Sequence, residues 1–329
     1  MRHVKVAAIQ PEHIGLAARY SPYRADYDND ADAIIENYVL KQLAVTQSLL
    51  ERAGAEGCDM VTTCEDVSVL GDFAIDVTSK NILVKLVKQA RPYMEKAFSE
   101  MAKKHNMHVI GCYLQEEKGR IYNTATVFDR GGSMAGVYRK THLPANEAWQ
   151  CTPGDSLDVF ELDFGKIGIC ICYDMMFPET VRVLKLKGAE IVFHPTFGYG
   201  WYDSIGEATL RTRANDNGIY IVTSKSYLPN GAGKSSVIDP WGHVLADAGF
   251  EKNTLVSKRI DLDTGKQQPE WYINSVMSGG IADVAERMRR ERRPDLYTAI
   301  TEPSDQPAYP RQPERLRILE GIRAGKIRW

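Results

Sequence analysis

A chain of 329 residues, 43% apolar and 26% charged, has an ordinary globular make-up with enough apolar material for a large core, and its net charge of −2 gives no general pull toward nucleic acid or an acidic membrane surface. No stretch approaches the roughly 18 uninterrupted apolar residues of a membrane span, and the N-terminal apolar run is too short for a signal peptide. The six cysteines, at 58, 64, 112, 151, 170 and 172, lack the spacing of a secreted disulfide framework, so reduced thiols in a cytoplasmic protein are the expectation.

Val4 to Ile9 reads as a buried strand by its length and β-branched content, stopped at Pro11. Residues 12–28, with Tyr20, Tyr23 and Tyr27 among charges, read as a polar loop. From near Asp30 to Arg52, Ile34, Ile35, Tyr38, Val39, Leu43, Leu49 and Leu50 approximate a helical stripe that Gly54 ends. Asp59 to Cys64 is the next expected strand, and its end delivers Glu65. A helix over roughly Asn81 to His105 follows, then strands at Met107 to Cys112 and Ile121 to Phe128, with Gly131-Gly132 turning into Met134 to Tyr138. This alternation argues a layered α/β sheet rather than segregated helices and strands. It then repeats: strand 166–172, helix 178–187, strand Glu190 to His194, helix about 203–216, strand Gly218 to Ser224, a hairpin over 237–244 and a last strand from Thr254 to Leu262.

Past residue 264 the composition changes. The run Arg287, Arg289, Arg290, Arg292, Arg293 is interrupted by Glu286 and Glu291, which suits a solvated helix face or a subunit contact better than a nucleic-acid site. Residues 301–313 hold four prolines and suit an extended arm. The expected division is therefore a main body over 1–264 and a C-terminal helix and arm over 265–329, the latter at a subunit interface.

Within 166–187, Ile167, Ile169 and Ile171 alternate with Gly168, Cys170 and Cys172, giving one bulky strand face and one small face on which a substrate would fit. Pro178 and Glu179 predict a helix start, which puts Cys172 just upstream of free amide hydrogens that lower a thiol's pKa and favour the nucleophilic thiolate. Cys170 reads as a small core residue. Glu65, Lys140 and Cys172 each close an apolar or strand-like stretch, and sites in open α/β sheets gather at the carboxyl ends of strands. Together they suggest a cysteine hydrolase whose base is a carboxylate, with His142 and His194 as rival partners for the thiol. Taken singly, Glu65 and Lys140 are equally explicable as solvated loop charges. Cys170-x-Cys172 has no second Cys or His pair at zinc spacing, so no metal is expected.

Over about residues 4–262 the chain resembles the nitrilase superfamily of carbon-nitrogen hydrolases. The resemblance rests on blocks in the right order: Val-Ala-Ala-Ile-Gln-Pro at 6–11, Glu65 after its strand, Tyr122-Asn123-Thr124-Ala125, Tyr138-Arg139-Lys140-Thr141-His142-Leu143-Pro144, Gly168 to Glu179, Arg213 to Asn217, and Ser236 to Gly242. It implies a four-layer α-β-β-α sandwich without cofactor, Glu65 as general base, Lys140 as the cation beside the tetrahedral intermediate, Cys172 as nucleophile and Glu147 as a second glutamate near the site. The backbone N–H of Tyr173 is expected to join Lys140 at the oxyanion. It also implies no catalytic histidine, leaving His142 a supporting role at most. Two departures stand out: Cys64 replaces a proline common before the base, and His194-Pro195 stands where the family often has Asn-Pro, so His194 either shapes the pocket or is a packed ring.

Nitrile hydrolysers of that family tend to carry Trp-Glu after the nucleophile; Tyr173-Asp174 here favours amides. Carbamoyl-D-amino-acid hydrolysers tend to carry arginines where Met175 and Met176 stand, which speaks against their carboxylate-bearing substrates without excluding other carbamoyl compounds. Phe197, Tyr199 and Trp201 either line a substrate pocket or pack elsewhere. The expectation is a homo-oligomeric amidase, a dimer or a multiple, acting on a small-molecule amide. The alternatives are a carbamoyl-amide hydrolase releasing ammonia and carbon dioxide, an acyltransferase, and a catalytically silent binding protein on the same fold.

Overall fold

The computed structural model describes residues 1–15, 31–73, 80–144, 147–198, 203–229, 232–263, 267, 281 and 283–303. Residues 16–28 of the expected polar loop, 304–313 of the expected arm, Tyr199 and Trp201 lie outside them.

In chain order the strands are β1 (His3–Gln10), β2 (Met60–Thr62), β3 (His108–Glu117), β4 (Arg120–Phe128), β5 (Met134–Arg139), β6 (Val159–Leu162), β7 (Gly165–Ile169), β8 (Ile191–Thr196), β9 (Tyr220–Lys225), β10 (Ser236–Ile238), β11 (Val244–Asp247) and β12 (Thr254–Asp261). They form two six-stranded sheets, β12-β1-β2-β3-β4-β5 and β11-β10-β9-β8-β7-β6. Each sheet has a parallel run, β1-β2-β3 in one and β7-β8-β9 in the other, flanked by antiparallel neighbours. The helices are α1 (Leu40–Ala55), α2 (Lys80–His105), α3 (Pro178–Leu186), α4 (Asp203–Asn217) and α5 (Val284–Glu291). Ala31–Ile34 and a π turn at Ile35–Val39 lead into α1.

Period-two alternation sorts the strand residues into layers. Ala7 and Ile9 of β1 pack outward with Leu49 and Leu50 of α1 and Met94 and Phe98 of α2. Val4, Val6 and Ala8 pack inward with Ile167, Ile169, Phe193 and Val222 of the second sheet. On the far side Cys170 and Val192 meet Val181, Leu184, Leu210 and Ala214 of α3 and α4. The result is the four-layer α-β-β-α sandwich that the resemblance implies.

Three details differ from the sequence reading. The small face of β7 holds no substrate: a Cβ on Gly168 would lie 3.0 Å from Leu184, so the missing side chain lets α3 approach the sheet closely. The strand also ends at Ile169, and Cys172 instead opens a 3-10 turn, Cys172–Met176. The four-residue edge strand β6 was not anticipated, because its half-buried residues are too few to show a period.

At the C-terminal end, Asp283 caps α5 by accepting from Ala285 N at 2.8 Å, and Ala285 is buried against Gly218. Arg289 and Arg290 pair with Glu286 within the helix, which accounts for part of the basic run. Among the described residues no helix is long and apolar enough to cross a membrane.

Candidate active site

Three strand ends converge. Glu65 follows β2, Lys140 directly follows β5, and Cys172 lies three residues beyond β7. Lys140 is fixed through its backbone, donating to Asn123 O at 2.9 Å and accepting from Gly154 N at 2.8 Å. Its ammonium lies 2.7 Å from Glu65 Oε1 and 2.5 Å from Glu147 Oε2. Asn123 Nδ2 donates to both carboxylates, at 2.8 Å to Glu65 and 2.7 Å to Glu147. Phe197 N donates to the other oxygen of Glu65 at 2.9 Å, and the Cys172 thiol hydrogen-bonds to Glu65 and Thr196. Chain segments from both sheets thus bring a thiol, two carboxylates and an ammonium together, with Lys140 1% and Glu65 6% exposed.

Burial shapes the protonation of this cluster. It pushes the Glu65 carboxyl up, but the charge and hydrogen bond of Lys140, with those from Cys172 and Phe197, outweigh it and leave the group below its usual range, ionised at neutral pH. Glu147 moves the other way, raised by burial and by the Glu65 charge against the pull of Lys140. Of the two carboxylates it protonates first. Burial opposes the Lys140 charge, yet Glu147 and Glu65 hold its pKa well above the usual value. The Cys172 thiol is pushed up to about 12, by burial and then by the Glu65 charge. This reverses the lowered thiol pKa expected from the helix start: burial keeps the proton on sulfur, beside the Glu65 carboxylate.

The turn bearing Cys172 is strained, with φ +44° at the cysteine itself. The first bond of its 3-10 turn runs from Asp174 N to Ile171 O at 3.0 Å, so the Tyr173 amide precedes the ladder, where N–H groups lack intrahelical acceptors. Beneath the turn lies His194, 5% exposed, with Nε2 3.2 Å from Cys172 O and Nδ1 2.9 Å from Thr223 Oγ1. A carbonyl only accepts, so Nε2 carries the hydrogen and the neutral ring braces the backbone of Cys172. Burial drops the pKa of His194 to about 4. The unfolded ring binds its proton near 6.5, so its contribution to stability is complete above that value and is lost as pH falls from there to about 4. The shift corresponds to about 3 kcal/mol. His194→Gln is expected to flatten the melting temperature between pH 7 and pH 5 relative to wild type, and an unchanged slope would contradict this account.

His142 hydrogen-bonds through Nδ1 to Asp174 at 2.9 Å and stacks on Phe177 at 4.0 Å, away from the thiol's partners. Phe197 is half-buried beside the site, edge-on to His13 at 4.7 Å. The turn after Cys64 is built without proline: Val67 N bonds Cys112 O at 2.9 Å, and Asp66 and Val69 adopt φ values of +47° and +54°. Asn123, Thr196 and Asp174 are contact residues to which the sequence reading gave no role in the site. Asn123 lies in Tyr122-Asn123-Thr124-Ala125, and Asp174 directly follows Cys172-Tyr173. Among the described residues no three His, Cys, Asp or Glu side chains are grouped to hold a metal ion.

The carbon-nitrogen hydrolase family model matches residues 6–270. Omega-amidase NIT2-B of Xenopus laevis is 34% identical over 218 residues, covering 61% of this chain and 73% of that protein. Among solved structures, a carbon-nitrogen hydrolase from Helicobacter pylori G27 superposes with a TM-score of 0.69 at 23% identity, covering 92% of this chain and 99% of the other. An amidase from Nesterenkonia sp. superposes with a TM-score of 0.66 at 20% identity, covering 91% and 97%.

Proposed function

This chain belongs to the carbon-nitrogen hydrolase family, in the amidase-like branch of the nitrilase superfamily, and on that premise we propose that it hydrolyses a linear small-molecule amide through a thioester on Cys172. The observation carrying this reading is the Cys172 thiol hydrogen-bonded to an ionised Glu65 that is itself held by Lys140 at 2.7 Å. Glu65 takes the thiol proton as sulfur attacks the amide carbon, so no free thiolate need accumulate. Negative charge gathers on the former carbonyl oxygen, where the Lys140 ammonium and the Tyr173 N–H stabilise it. Collapse of the intermediate breaks the C–N bond as Glu65 passes its proton to the departing nitrogen, and ammonia or an amine leaves. Glu65 next deprotonates a water that attacks the thioester; the C–S bond breaks, the proton returns to sulfur and a carboxylic acid is released. Glu147 and Asn123 hold Lys140 and Glu65 in register throughout.

The likeness to omega-amidases supports amides at the far end of an acyl chain as the first substrate class to test. The exposed Leu296 and Ile300, 65% and 60% accessible beyond α5, support a homo-oligomer joined through this end, which analytical ultracentrifugation of a Leu296→Ser, Ile300→Ser variant tests.

The deciding experiment is an ammonia-release screen over primary amides, ω-amides and carbamoyl compounds, run beside Cys172→Ala. Ammonia with a free acid is expected from the wild type and none above background from the variant. Carbon dioxide evolved with the ammonia would mark the carbamoyl alternative, complete inertness the binding-protein alternative, and unchanged turnover in Cys172→Ala would remove the mechanism.

A further inference from the structure

Asp174 is fully buried two residues past the nucleophile, and its carboxylate accepts from both walls of the site. Oδ1 takes the Thr141 hydroxyl at 2.9 Å, His142 N at 2.8 Å and His142 Nδ1 at 2.9 Å. Oδ2 takes the Tyr138 hydroxyl at 2.6 Å and Ile171 N at 2.9 Å. Tyr138, Thr141 and His142 bracket Lys140 at the end of β5, and Ile171 immediately precedes Cys172 in the turn beyond β7. One carboxylate is therefore the shared acceptor of the segment that carries the ammonium and the segment that carries the thiol. Burial alone would push its proton affinity up, but the bonds from His142, Tyr138 and the two backbone amides hold it below the usual range, so it stays ionised and every partner donates. A buried charge with its oxygens saturated in this way is rigid, because moving any donor leaves part of the charge unpaired.

We propose that Asp174 is a positioning residue that sets the separation of the Lys140 ammonium from the Cys172 thiol by pinning both of their loops to a single carboxylate. It touches neither substrate nor sulfur. The proposal rests on the function argued above, and it predicts a particular kind of damage. Acyl transfer needs thiol, base and cation in register, whereas alkylation of the thiol by iodoacetamide needs only thiol and base, since no oxyanion forms.

The test is Asp174→Asn, measured for hydrolysis of the best amide from the screen and for iodoacetamide alkylation, with peptide mapping to count modified Cys172. The carboxamide nitrogen cannot accept, so the backbone donor facing it, Ile171 N or His142 N, loses its acceptor without a change of shape. Turnover per titratable Cys172 is expected to fall about 100-fold, the scale of a misplacement near 1 Å, with KM and the alkylation rate within about threefold of wild type. A merely structural role would lower the number of titratable thiols and leave turnover per titrated site intact. Should Asp174→Asn fail to fold, Tyr138→Phe combined with Thr141→Val removes donors from the lysine's side only and is read the same way, with a loss of about tenfold expected. Turnover per titrated site within threefold of wild type in the variant that folds overturns the proposal. Full activity in Cys172→Ala, or no hydrolysis by the wild type, overturns the functional reading and this inference with it; an active Asp174→Asn beside an inert Cys172→Ala overturns this inference alone.

Discussion

Glu65→Gln is expected to yield a folded protein whose amide turnover is lower by about 1,000-fold to 10,000-fold, the upper range for losing a general acid-base group. The substitution keeps the shape of a side chain held by Phe197 N, Asn123 and Lys140, but an amide cannot take the thiol proton or return one to the leaving nitrogen. Because the thiol sits at about 12 in the wild type, sulfur has no other route to a thiolate near neutral pH. Iodoacetamide alkylation of Cys172 separates the base from the rest of the machinery. In the wild type the rate is expected to stay level across the neutral range, since the proton acceptor is built in and already ionised. In Glu65→Gln it is expected to be slow and to climb with pH. The climb begins below the wild-type thiol value, because the carboxylate charge that helped raise the thiol is gone while Lys140 remains. A Glu65→Gln enzyme within tenfold of wild-type turnover would remove Glu65 from the chemistry.

Lys140→Met damages both rate and stability. Methionine matches the aliphatic stem, so the change removes one charge with little change in packing. Turnover is expected to drop at least about 1,000-fold, since an oxyanion donor is lost and Glu65 is also left partly protonated. Stability at neutral pH is expected to fall by about 3 to 5 kcal/mol, the cost of breaking a buried ion pair. Without the ammonium, Glu65 and Glu147 face each other through Asn123 alone; Glu65 rises above its unfolded pKa and Glu147, already raised, rises further. A group raised in the folded state binds more protons folded than unfolded, so stability falls as pH climbs through the raised values. The gap in melting temperature between wild type and Lys140→Met should therefore narrow as pH is lowered from 7.5 to 5. A gap independent of pH would contradict this picture of the cluster.

The layered architecture was legible because β-branched runs and helical stripes alternate cleanly along the chain, and Pro178 marks the start of its helix where Pro at N1 is preferred. Edge strand β6 and the π turn before α1 were not legible, since neither has a period long enough to register in a sequence. The convergence of Glu65, Lys140 and Cys172 was legible for a different reason: each interrupts an apolar run at the point where a strand gives way to a loop. Asn123 and Asp174 do their work through bonds spanning 58 and 36 positions, to Glu65 and to Tyr138, and a lone asparagine or aspartate inside a motif does not announce such partners. The thiol's protonation was read in the wrong direction. A helix-start argument considers the amides ahead of the sulfur, whereas burial and the neighbouring Glu65 charge, visible only once the chain is folded, dominate it. The small face of β7 was likewise read as room for substrate when its function is to admit Leu184 of α3.

During turnover the proposed mechanism places the acyl group on the sulfur of Cys172, and quenching the enzyme with acid during hydrolysis of its best amide, followed by mass analysis of proteolytic peptides, reads that out. The peptide containing Cys172 is expected to gain the mass of the acyl group during the reaction, and Cys172→Ala neither to gain that mass nor to release ammonia. An acyl group found on a different residue, or full turnover by Cys172→Ala, would contradict that mechanism.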